Sequence, residues 1–318
     1  MSALTNRAGA LLGPTHTTYA VALVTPDGAE VDAVGAATHD DLELGSVSKG
    51  ITGMLWCDAV ARDVVVEDAV LADHLPIEGP IGAIALADLA THSSGLPRLA
   101  GGADVLRRTW ELWREGRNPY REDVPGLLAQ LRHVRIGRPG RTTYSNLGFQ
   151  LLGHAVAAAA GTTYAVLVAQ RLAAPLGLVD TYAPGSAADL GESAVTPRHR
   201  KGREVEPWAN EAIAPAGGVR SSAADLAILL RALLDRTVPG AQALEPLKPY
   251  AGRQRIGAGW VTGELLRREV TWHNGGTGGF RSFVGIDRGH GVGVALVSAS
   301  TRPVDGAAVR LLAEAGEP

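Results

Sequence analysis

Ser46 and Lys49 are the residues of this sequence whose types and spacing are best suited to covalent chemistry. A serine hydroxyl becomes a strong nucleophile when a neighbouring base takes its proton, and an uncharged amine can be that base. On a helix, residues three apart lie on one face with about 4.5 Å of axial rise between them, which brings Oγ and Nζ within hydrogen-bond reach. The pair predicts a nucleophile and its base. The alternative is a capping serine beside a lysine that extends to solvent.

Lysine is rare in this sequence, since only three of the 30 basic residues are lysines. Lys49 stands just before the apolar stretch 51–60, which has helical spacing and where a charge is costly to bury. A desolvated lysine can lose its proton, whereas an arginine cannot. A lysine at this position therefore indicates a task that needs a neutral amine.

Two further segments carry polar groups at predicted junctions. Tyr144, Ser145 and Asn146 stand where a loop leads into a predicted helix, and Asn146 is suited to cap that helix. The segment 273–279, with the sequence His-Asn-Gly-Gly-Thr-Gly-Gly, joins two β-type segments, and its glycines permit a tight turn or a close backbone approach. Taken alone, each segment has a purely structural explanation.

The periodicity of apolar residues changes along the chain from that of strands to that of helices and back. Strands are predicted at 18–23, 29–36, 41–44, 280–286 and 292–298. Helices are predicted at 51–60, 103–116, 123–134, 146–160, 163–174, 222–234 and 304–315. No strand is evident between about 62 and 205.

Strands at both ends and helices between them predict an α+β fold. We expect an antiparallel sheet flanked by terminal helices, with an inserted all-helical lobe and a cleft between the two. The sheet domain is discontinuous, at residues 1–61 and 206–318, and the helical domain is 62–205.

Composition excludes several classes of protein. A net charge of -3 leaves no excess of positive charge for a nucleic acid, and no apolar run approaches the roughly 18 residues of a membrane span. The single cysteine, Cys57, excludes a multi-cysteine metal site, and the histidines lack a zinc spacing, so neither a metal nor a cofactor is expected. Residues 1–13 are too weakly apolar and basic for a secretory signal, so a cytoplasmic location is expected.

Together and in this order, the three segments resemble those of the penicillin-recognising serine hydrolases, which include serine β-lactamases, D,D-peptidases and class C-like esterases. The resemblance covers about residues 18–300 and implies the β-lactamase/transpeptidase fold, in agreement with the predicted lobes. Further phrases resemble the family's: Leu44-Gly45-Ser46-Val47-Ser48-Lys49, Thr91-His92-Ser93-Ser94-Gly95-Leu96, and Pro215-Ala216-Gly217-Gly218-Val219-Arg220-Ser221-Ser222-Ala223-Ala224-Asp225-Leu226.

The resemblance also implies roles for individual residues. Ser46 would accept the acyl group and Lys49 its proton, while Tyr144 would shuttle the proton to the leaving group and activate the deacylating water. Asn146 would hydrogen-bond both Lys49 and the substrate. Gly276, which follows Gly275, would supply one oxyanion N–H, and the N–H of Ser46 would supply the other.

One departure from the family concerns His273-Asn274-Gly275, which stands where efficient β-lactamases carry Lys-Thr-Gly. A permanent cation for the β-lactam carboxylate is therefore missing. The reference pKa of histidine is about 6.5, so binding of a carboxylate by His273 should weaken between pH 6 and pH 8. The pattern is more similar to that of esterases, D-aminopeptidases and some D,D-peptidases.

These observations predict a serine hydrolase that cleaves small esters, amides or short peptides through an acyl-serine intermediate. Three alternatives remain open: a β-lactamase or D,D-peptidase proper, an acyltransferase, and a non-catalytic penicillin-binding relative. A nucleophile elbow and a zinc-protease motif are both absent from the sequence, which disfavours other hydrolase classes.

Overall fold

Strands from the two ends of the chain form one antiparallel sheet in a computed structural model that describes residues 2–100, 104–199 and 201–316, with the backbone alone at 104–106, 109 and 113. The order of strands is β2-β1-β10-β9-β8-β7-β6-β5, and β3 pairs with β4 in a separate ribbon. The strands are β1 (Tyr19–Thr25), β2 (Gly28–Val34), β3 (Leu42–Glu43), β4 (Arg220–Ser221), β5 (Lys248–Pro249), β6 (Arg255–Ile256), β7 (Val261–Leu265), β8 (Arg268–Gly276), β9 (Arg281–Asp287) and β10 (Val292–Ser298).

Helices cover both faces of this sheet and form the lobe inserted between its strands. They are α1 (Ala3–Leu12), α2 (Ser48–Ala61), α3 (Gly79–Gly82), α4 (Leu86–Ala90), α5 (Asp104–Glu115), α6 (Val124–Gln130), α7 (Asn146–Ala159), α8 (Tyr164–Val168), α9 (Ala174–Leu176), α10 (Ala223–Leu234) and α11 (Asp305–Ala315). Among the described residues no single helix is long and apolar enough to cross a membrane, although the bent pair Asn146–Ala159 and Tyr164–Leu176 would pass on length and composition.

The alternation of side chains along β1 supplies two cores. Ala20 and Ala22 face the helical side, where they join a large apolar cluster with α2, α7 and α10. Val21 and Leu23 face the opposite side, where the terminal helices α1 and α11 cover the sheet. Successive residues of a strand point to opposite faces, so one strand contributes to both layers.

The predicted fold class is confirmed, with some changes in the bounds of elements. The two hairpins lie close to their predicted positions, whereas the strand predicted at 41–44 is reduced to Leu42–Glu43 in the small ribbon. The short strands β4 to β6 and the longer β7 and β8 were not predicted, because two-residue strands show no alternation, β7 is interrupted by Gly263 and β8 ends in glycines. Residues 273–276, predicted as part of a joining bend, belong to β8. Residue 103, where one helix was predicted to begin, lies outside the described residues.

The inserted segment joins the sheet through buried helices. The apolar cluster on the inner face of the sheet continues into the inserted segment through α2 and α7. No strand is found between residues 62 and 205 in the described part of the chain, as the sequence predicts, although isolated bridges at Asp41–Ala194 and Tyr182–Arg220 connect this segment to the ribbon. The division into two domains stays a prediction.

Candidate active site

Ser46 lies in a tight 3-10 turn, Gly45–Val47, that leads directly into α2. Gly45 has a φ of 53°, which favours glycine, and its neighbours hold the turn in place. The Ser48 hydroxyl donates to the carbonyl of Gly45 at 2.7 Å and accepts from the N–H of Val219 at 3.0 Å. The turn leaves Ser46 partly exposed while Gly45 and Val47 are buried. The hydrogen bonds of the turn therefore position Ser46 with its side chain partly open to solvent.

Lys49 lies one turn further along and is fully buried. Its Nζ is 3.1 Å from Ser46 Oγ and donates to the carbonyl of Ala216 at 2.5 Å. No carboxylate of the described residues forms an ion pair with it. Burial, followed by the charge of Arg98, holds the pKa of Lys49 well below its usual range. The geometry that the spacing predicts is present, and the amine is poised to be neutral.

Tyr144 completes the surroundings of the serine hydroxyl. Its OH donates to Ser46 Oγ at 2.7 Å, and its ring centroid lies 4.8 Å from Lys49 Nζ. Burial raises the pKa of Tyr144 above its ordinary value, so the phenol keeps its proton at neutral pH. Ser46 Oγ thus lies between an amine that can accept a proton and a phenol that can donate one.

His92 supports the segment that carries Tyr144. Its Nδ1 accepts from the N–H of Ser145 at 3.2 Å, its carbonyl accepts from the N–H of Thr143 at 2.7 Å, and its ring lies 4.7 Å from that of Tyr144. Burial lowers the pKa of His92 well below its usual value. Its position indicates a supporting role beneath Tyr144.

Asn146 occupies a different local position from the one predicted. The cap of α7 is Ser145, whose hydroxyl accepts from the N–H of Gly148 at 2.9 Å, whereas Asn146 is the first helical residue. The amide Nδ2 of Asn146 donates to Tyr120 OH at 2.9 Å, and no hydrogen bond joins it to Lys49. The expectation of an Asn146–Lys49 bond is wrong for this structure. Asn146 Oδ1 is buried without a partner among the described residues.

The last residues of β8 form an open edge beside the nucleophile. Strand β7 pairs with β8 only as far as Trp272, so residues 273–276 have a strand partner, β9, on one side only. A Cβ at Gly275 would lie 2.1 Å from the carbonyl oxygen of Leu44, and a Cβ at Gly45 would lie 2.6 Å from Gly276 N. Only glycines allow this approach, which brings the N–H groups of Gly276 and Ser46 close together.

His273 lies on this edge, and the structure favours its neutral form over the positively charged imidazolium that the sequence analysis considered. Because its Nδ1 faces the carbonyl of Asn274 at 2.6 Å and a carbonyl can only accept, Nδ1 is the protonated nitrogen. Burial, followed by the charge of Lys49, lowers the pKa of His273 to about 3. A neutral imidazole at both pH 6 and pH 8 argues against the expected weakening of carboxylate binding across that range, which stays a prediction.

A buried ion cluster fixes the backbone on both sides of the site. Arg220 contacts Asp41 at 2.6 Å and Glu43 at 3.1 Å. Glu43 also accepts from Thr277 Oγ1 at 2.5 Å and from the N–H of Trp208 at 2.9 Å. The cluster ties the ribbon to the loop after β8, and no spacing in the sequence indicated it.

A cavity of about 320 Å³ opens beside Tyr120 in the helical lobe. Sequence reasoning missed it, because its walls come from distant segments. It is lined by Arg98, Leu99, Ala100, Arg108, Leu112, Pro119, Tyr120, Glu122, Leu127, Gln130, Gln150 and Trp208.

The site has the arrangement of the penicillin-recognising serine hydrolases. A buried lysine follows a serine by one turn, a tyrosine hydroxyl donates to that serine, and a glycine-rich strand edge lies beside it. The chain belongs to the β-lactamase family, whose Beta-lactamase domain matches residues 12–317.

Solved structures of this family share the fold. A class C β-lactamase of Rhodobacter sphaeroides superposes with a TM-score of 0.79 at 23% identity, and the match covers 98% of each chain. A β-lactamase of Sulfitobacter sp. EE-36 superposes with a TM-score of 0.78 at 22% identity, over 98% of this chain and 96% of the other. A mutant class C β-lactamase superposes with a TM-score of 0.82 at 16% identity, over 98% of this chain and 97% of the other.

Relatives known from sequence are longer proteins. The D-alanyl-D-alanine-carboxypeptidase/endopeptidase AmpH of Escherichia coli is 36% identical over 102 residues, which are 32% of this chain and 25% of AmpH. A β-lactamase-like protein of Arthroderma benhamiae is 26% identical, over 94% of this chain and 58% of the relative. The unguisins hydrolase ungD' of Aspergillus campestris is 24% identical, over 64% of this chain and 40% of the relative. The chain spans a quarter to about three fifths of the length of these relatives.

Proposed function

We propose that this protein is a serine hydrolase that cleaves small esters or amides through an acyl-Ser46 intermediate. The carrying observation is the position of Ser46 Oγ, 3.1 Å from the buried amine of Lys49 and 2.7 Å from the hydroxyl of Tyr144. A serine hydroxyl becomes an activated nucleophile when a neighbouring amine with a lowered pKa can take its proton.

The first half of the reaction forms the acyl-enzyme. Lys49 Nζ takes the proton of Ser46 as Oγ bonds to the substrate carbonyl carbon, and the electron pair of the carbonyl moves to its oxygen. The N–H groups of Ser46 and Gly276 stabilise this oxyanion, and each such donor can contribute about 3 kcal/mol in the transition state. The intermediate collapses as the bond to the leaving group breaks. Tyr144 protonates the leaving group and regains a proton from Lys49.

Water completes the cycle by the same steps in reverse. Tyr144 and Lys49 remove a proton from the water as it attacks the acyl carbon, and Ser46 leaves with that proton. Asn146 Oδ1 has no hydrogen-bond partner among the described residues. Because leaving a buried acceptor unmet is costly, an N–H group of the substrate would bind favourably to it.

The neutral His273 favours esters and peptide amides over β-lactams. The likeness to AmpH, a carboxypeptidase and endopeptidase, supports peptide amides among these substrates. An acyltransferase would use the same acyl-enzyme, with an alcohol or amine in place of water.

Intact-mass spectrometry and steady-state kinetics test the proposal. The wild type should gain one acyl mass from p-nitrophenyl esters, D-amino-acid amides or penicillins, and should hydrolyse p-nitrophenyl butyrate. Ser46→Ala should do neither while keeping its fold, because losing a serine at the start of a helix costs only about 1 kcal/mol. Turnover by Ser46→Ala, or no acylation by any compound, would overturn the proposal.

Ser193→Ala is the matched control, since Ser193 is exposed and its hydroxyl forms no hydrogen bond with the other described residues. Ser48→Ala is a poor control, although Ser48 lies off the face of Ser46, because its hydroxyl holds the turn. A wild-type preference for nitrocefin over p-nitrophenyl butyrate in kcat/KM would point to a β-lactamase instead.

A further inference from the structure

Arg98 is a cation near Tyr144 that has no acidic partner among the described residues. Its side chain is exposed, and its guanidinium carbon lies 5.5 Å from the ring centroid of Tyr144. Its backbone is anchored, because its carbonyl accepts from the N–H of Asn146 at 3.0 Å. Arg98 is thereby held beside Tyr144, whose hydroxyl contacts Ser46 Oγ.

Arg98 also lines the cavity beside Tyr120, whose walls are mostly apolar. The other ionic groups of that wall are already used, since Glu122 is paired with Arg108 and accepts from Gln130 Nε2 at 2.6 Å. The charge of Arg98 is therefore the uncompensated one in the described lining. A chain with apolar atoms and an anionic end would match both properties of the cavity.

The charge of Arg98 reaches the groups around the cleft. Arg98 lowers the pKa of Lys49 and acts in the same direction on Tyr120 and Tyr250. An anion bound to Arg98 would offset this field and would exchange water for a charge-assisted hydrogen bond.

Arg281 is a second cation close to the reacting atoms, and it is the competing candidate. Its Nη1 donates to the carbonyls of Thr277 and Phe280, at 3.0 and 2.8 Å. The opposite charge of Asp305 also acts on it. Arg281 is thus occupied with the backbone, whereas Arg98 is not.

We infer that Arg98 binds an anionic group of the substrate and that the cavity beside Tyr120 takes the acyl chain carrying that group. The substrates are then esters or amides of acids that bear a second, negatively charged end. This inference rests on the proposed acyl-Ser46 chemistry and names its substrate class. The acyl chain is assigned to the cavity because the leaving group must depart while the acyl group stays attached.

Mono-p-nitrophenyl adipate and its methyl ester test this inference, because they share one acyl chain and differ in charge. The wild type should prefer the anionic ester by about tenfold or more in kcat/KM. Arg98→Ala should lose about ten- to a hundredfold on the anionic ester and less than about threefold on the methyl ester. Arg98→Lys should recover part of the preference, and Arg138→Ala, which removes the same charge from an exposed loop, should retain all of it.

Equal losses on the two esters, or a preference that survives Arg98→Ala and disappears in Arg281→Ala, would overturn the role of Arg98 but leave the acyl-Ser46 mechanism intact. If neither ester is turned over, calorimetric binding to the Ser46→Ala variant still decides the matter. Tighter binding of the anionic ester that depends on Arg98 supports the inference, and equal binding of the two esters refutes it.

Discussion

Lys49 and Arg220 are both completely buried, yet they differ in what surrounds the positive charge. Arg220 is held by the carboxylates of Asp41 and Glu43. Lys49 contacts a hydroxyl and the carbonyl of Ala216, and no carboxylate of the described residues pairs with it. The two sites meet the cost of burying a cation in different ways, by pairing at Arg220 and by a lowered pKa at Lys49, which favours the neutral amine.

This difference in charge compensation separates Arg220, which stabilises the fold, from Lys49, which is suited to act as a base. A guanidinium cannot give up its proton, so Arg220 stays charged, and its attraction for Glu43 counteracts the rise in pKa that burial imposes on that carboxyl. Glu43 then holds Thr277 and the backbone of Trp208 around the site. At Lys49, desolvation lowers the pKa of the amine and so favours a free electron pair next to Ser46. Surroundings that lack a carboxylate, among the described residues, suit Lys49 to act as a base.

Exchanging the type of cation at Lys49 should have the largest effect on activity. Lys49→Arg should lower kcat/KM by about 10² to 10⁴, because an arginine cannot accept the proton of Ser46. Lys49→Met should lose as much activity while keeping the fold. Esterase kinetics, with circular dichroism of each variant, measure this. If Lys49→Arg keeps more than about a tenth of the activity, Lys49 acts by its charge alone and the contrast with Arg220 fails.

Removing the paired cation should mainly affect stability. Arg220→Met leaves two buried carboxylates unpaired and should lower the free energy of unfolding by about 3–5 kcal/mol, whereas Lys49→Met should not lower it by more than about 1 kcal/mol. Urea unfolding of both variants at pH 7 tests the pair. Equal losses in the two variants would show that Lys49 is charged and compensated in the folded protein.

A smaller effect is expected on the pH dependence of kcat/KM. The neutral amine of Lys49 is the active form, so activity should fall as pH decreases through its lowered pKa. Arg98 lowers that pKa, so Arg98→Ala should move the acid limb to higher pH, by less than about one unit because Arg98 is exposed.

The other titratable groups facing Lys49 should not change the position of the acid limb of the kcat/KM profile between pH 6 and pH 8. Burial lowers the pKa of His92 and of His273 and raises that of Tyr144, so none of the three is expected to titrate in this range. The pH profile of neutral-ester hydrolysis by the wild type and by Arg98→Ala gives the shift. A limb that stays in place or moves to lower pH would show that the field of Arg98 does not reach Lys49.

Local patterns were enough to predict several elements. The β-type patterns at 18–23 and 292–298 predict the strands β1 and β10. Ser222 caps α10, as its spacing to Asp225 indicates, with a 3.1 Å bond from the N–H of Asp225. The contact between Ser46 and Lys49 follows from helical geometry over four residues. The capping residue of α7 was misassigned to Asn146, because Ser145 and Asn146 are both good caps and sequence alone does not choose between them.

Properties that depend on burial and on partners distant in sequence could not be predicted from the sequence and required the tertiary structure. The low pKa values of Lys49 and His273 come from desolvation by segments far away in sequence. Arg98 and Glu122 line the same cavity, yet Glu122 pairs with Arg108, and Arg98 has no acidic partner among the described residues. Residue types and short spacings specify which groups can react, since they act over a few bonds. Solvent exclusion and charge compensation are sums over the whole fold, and here they distinguish the base at Lys49 from the structural cation at Arg220.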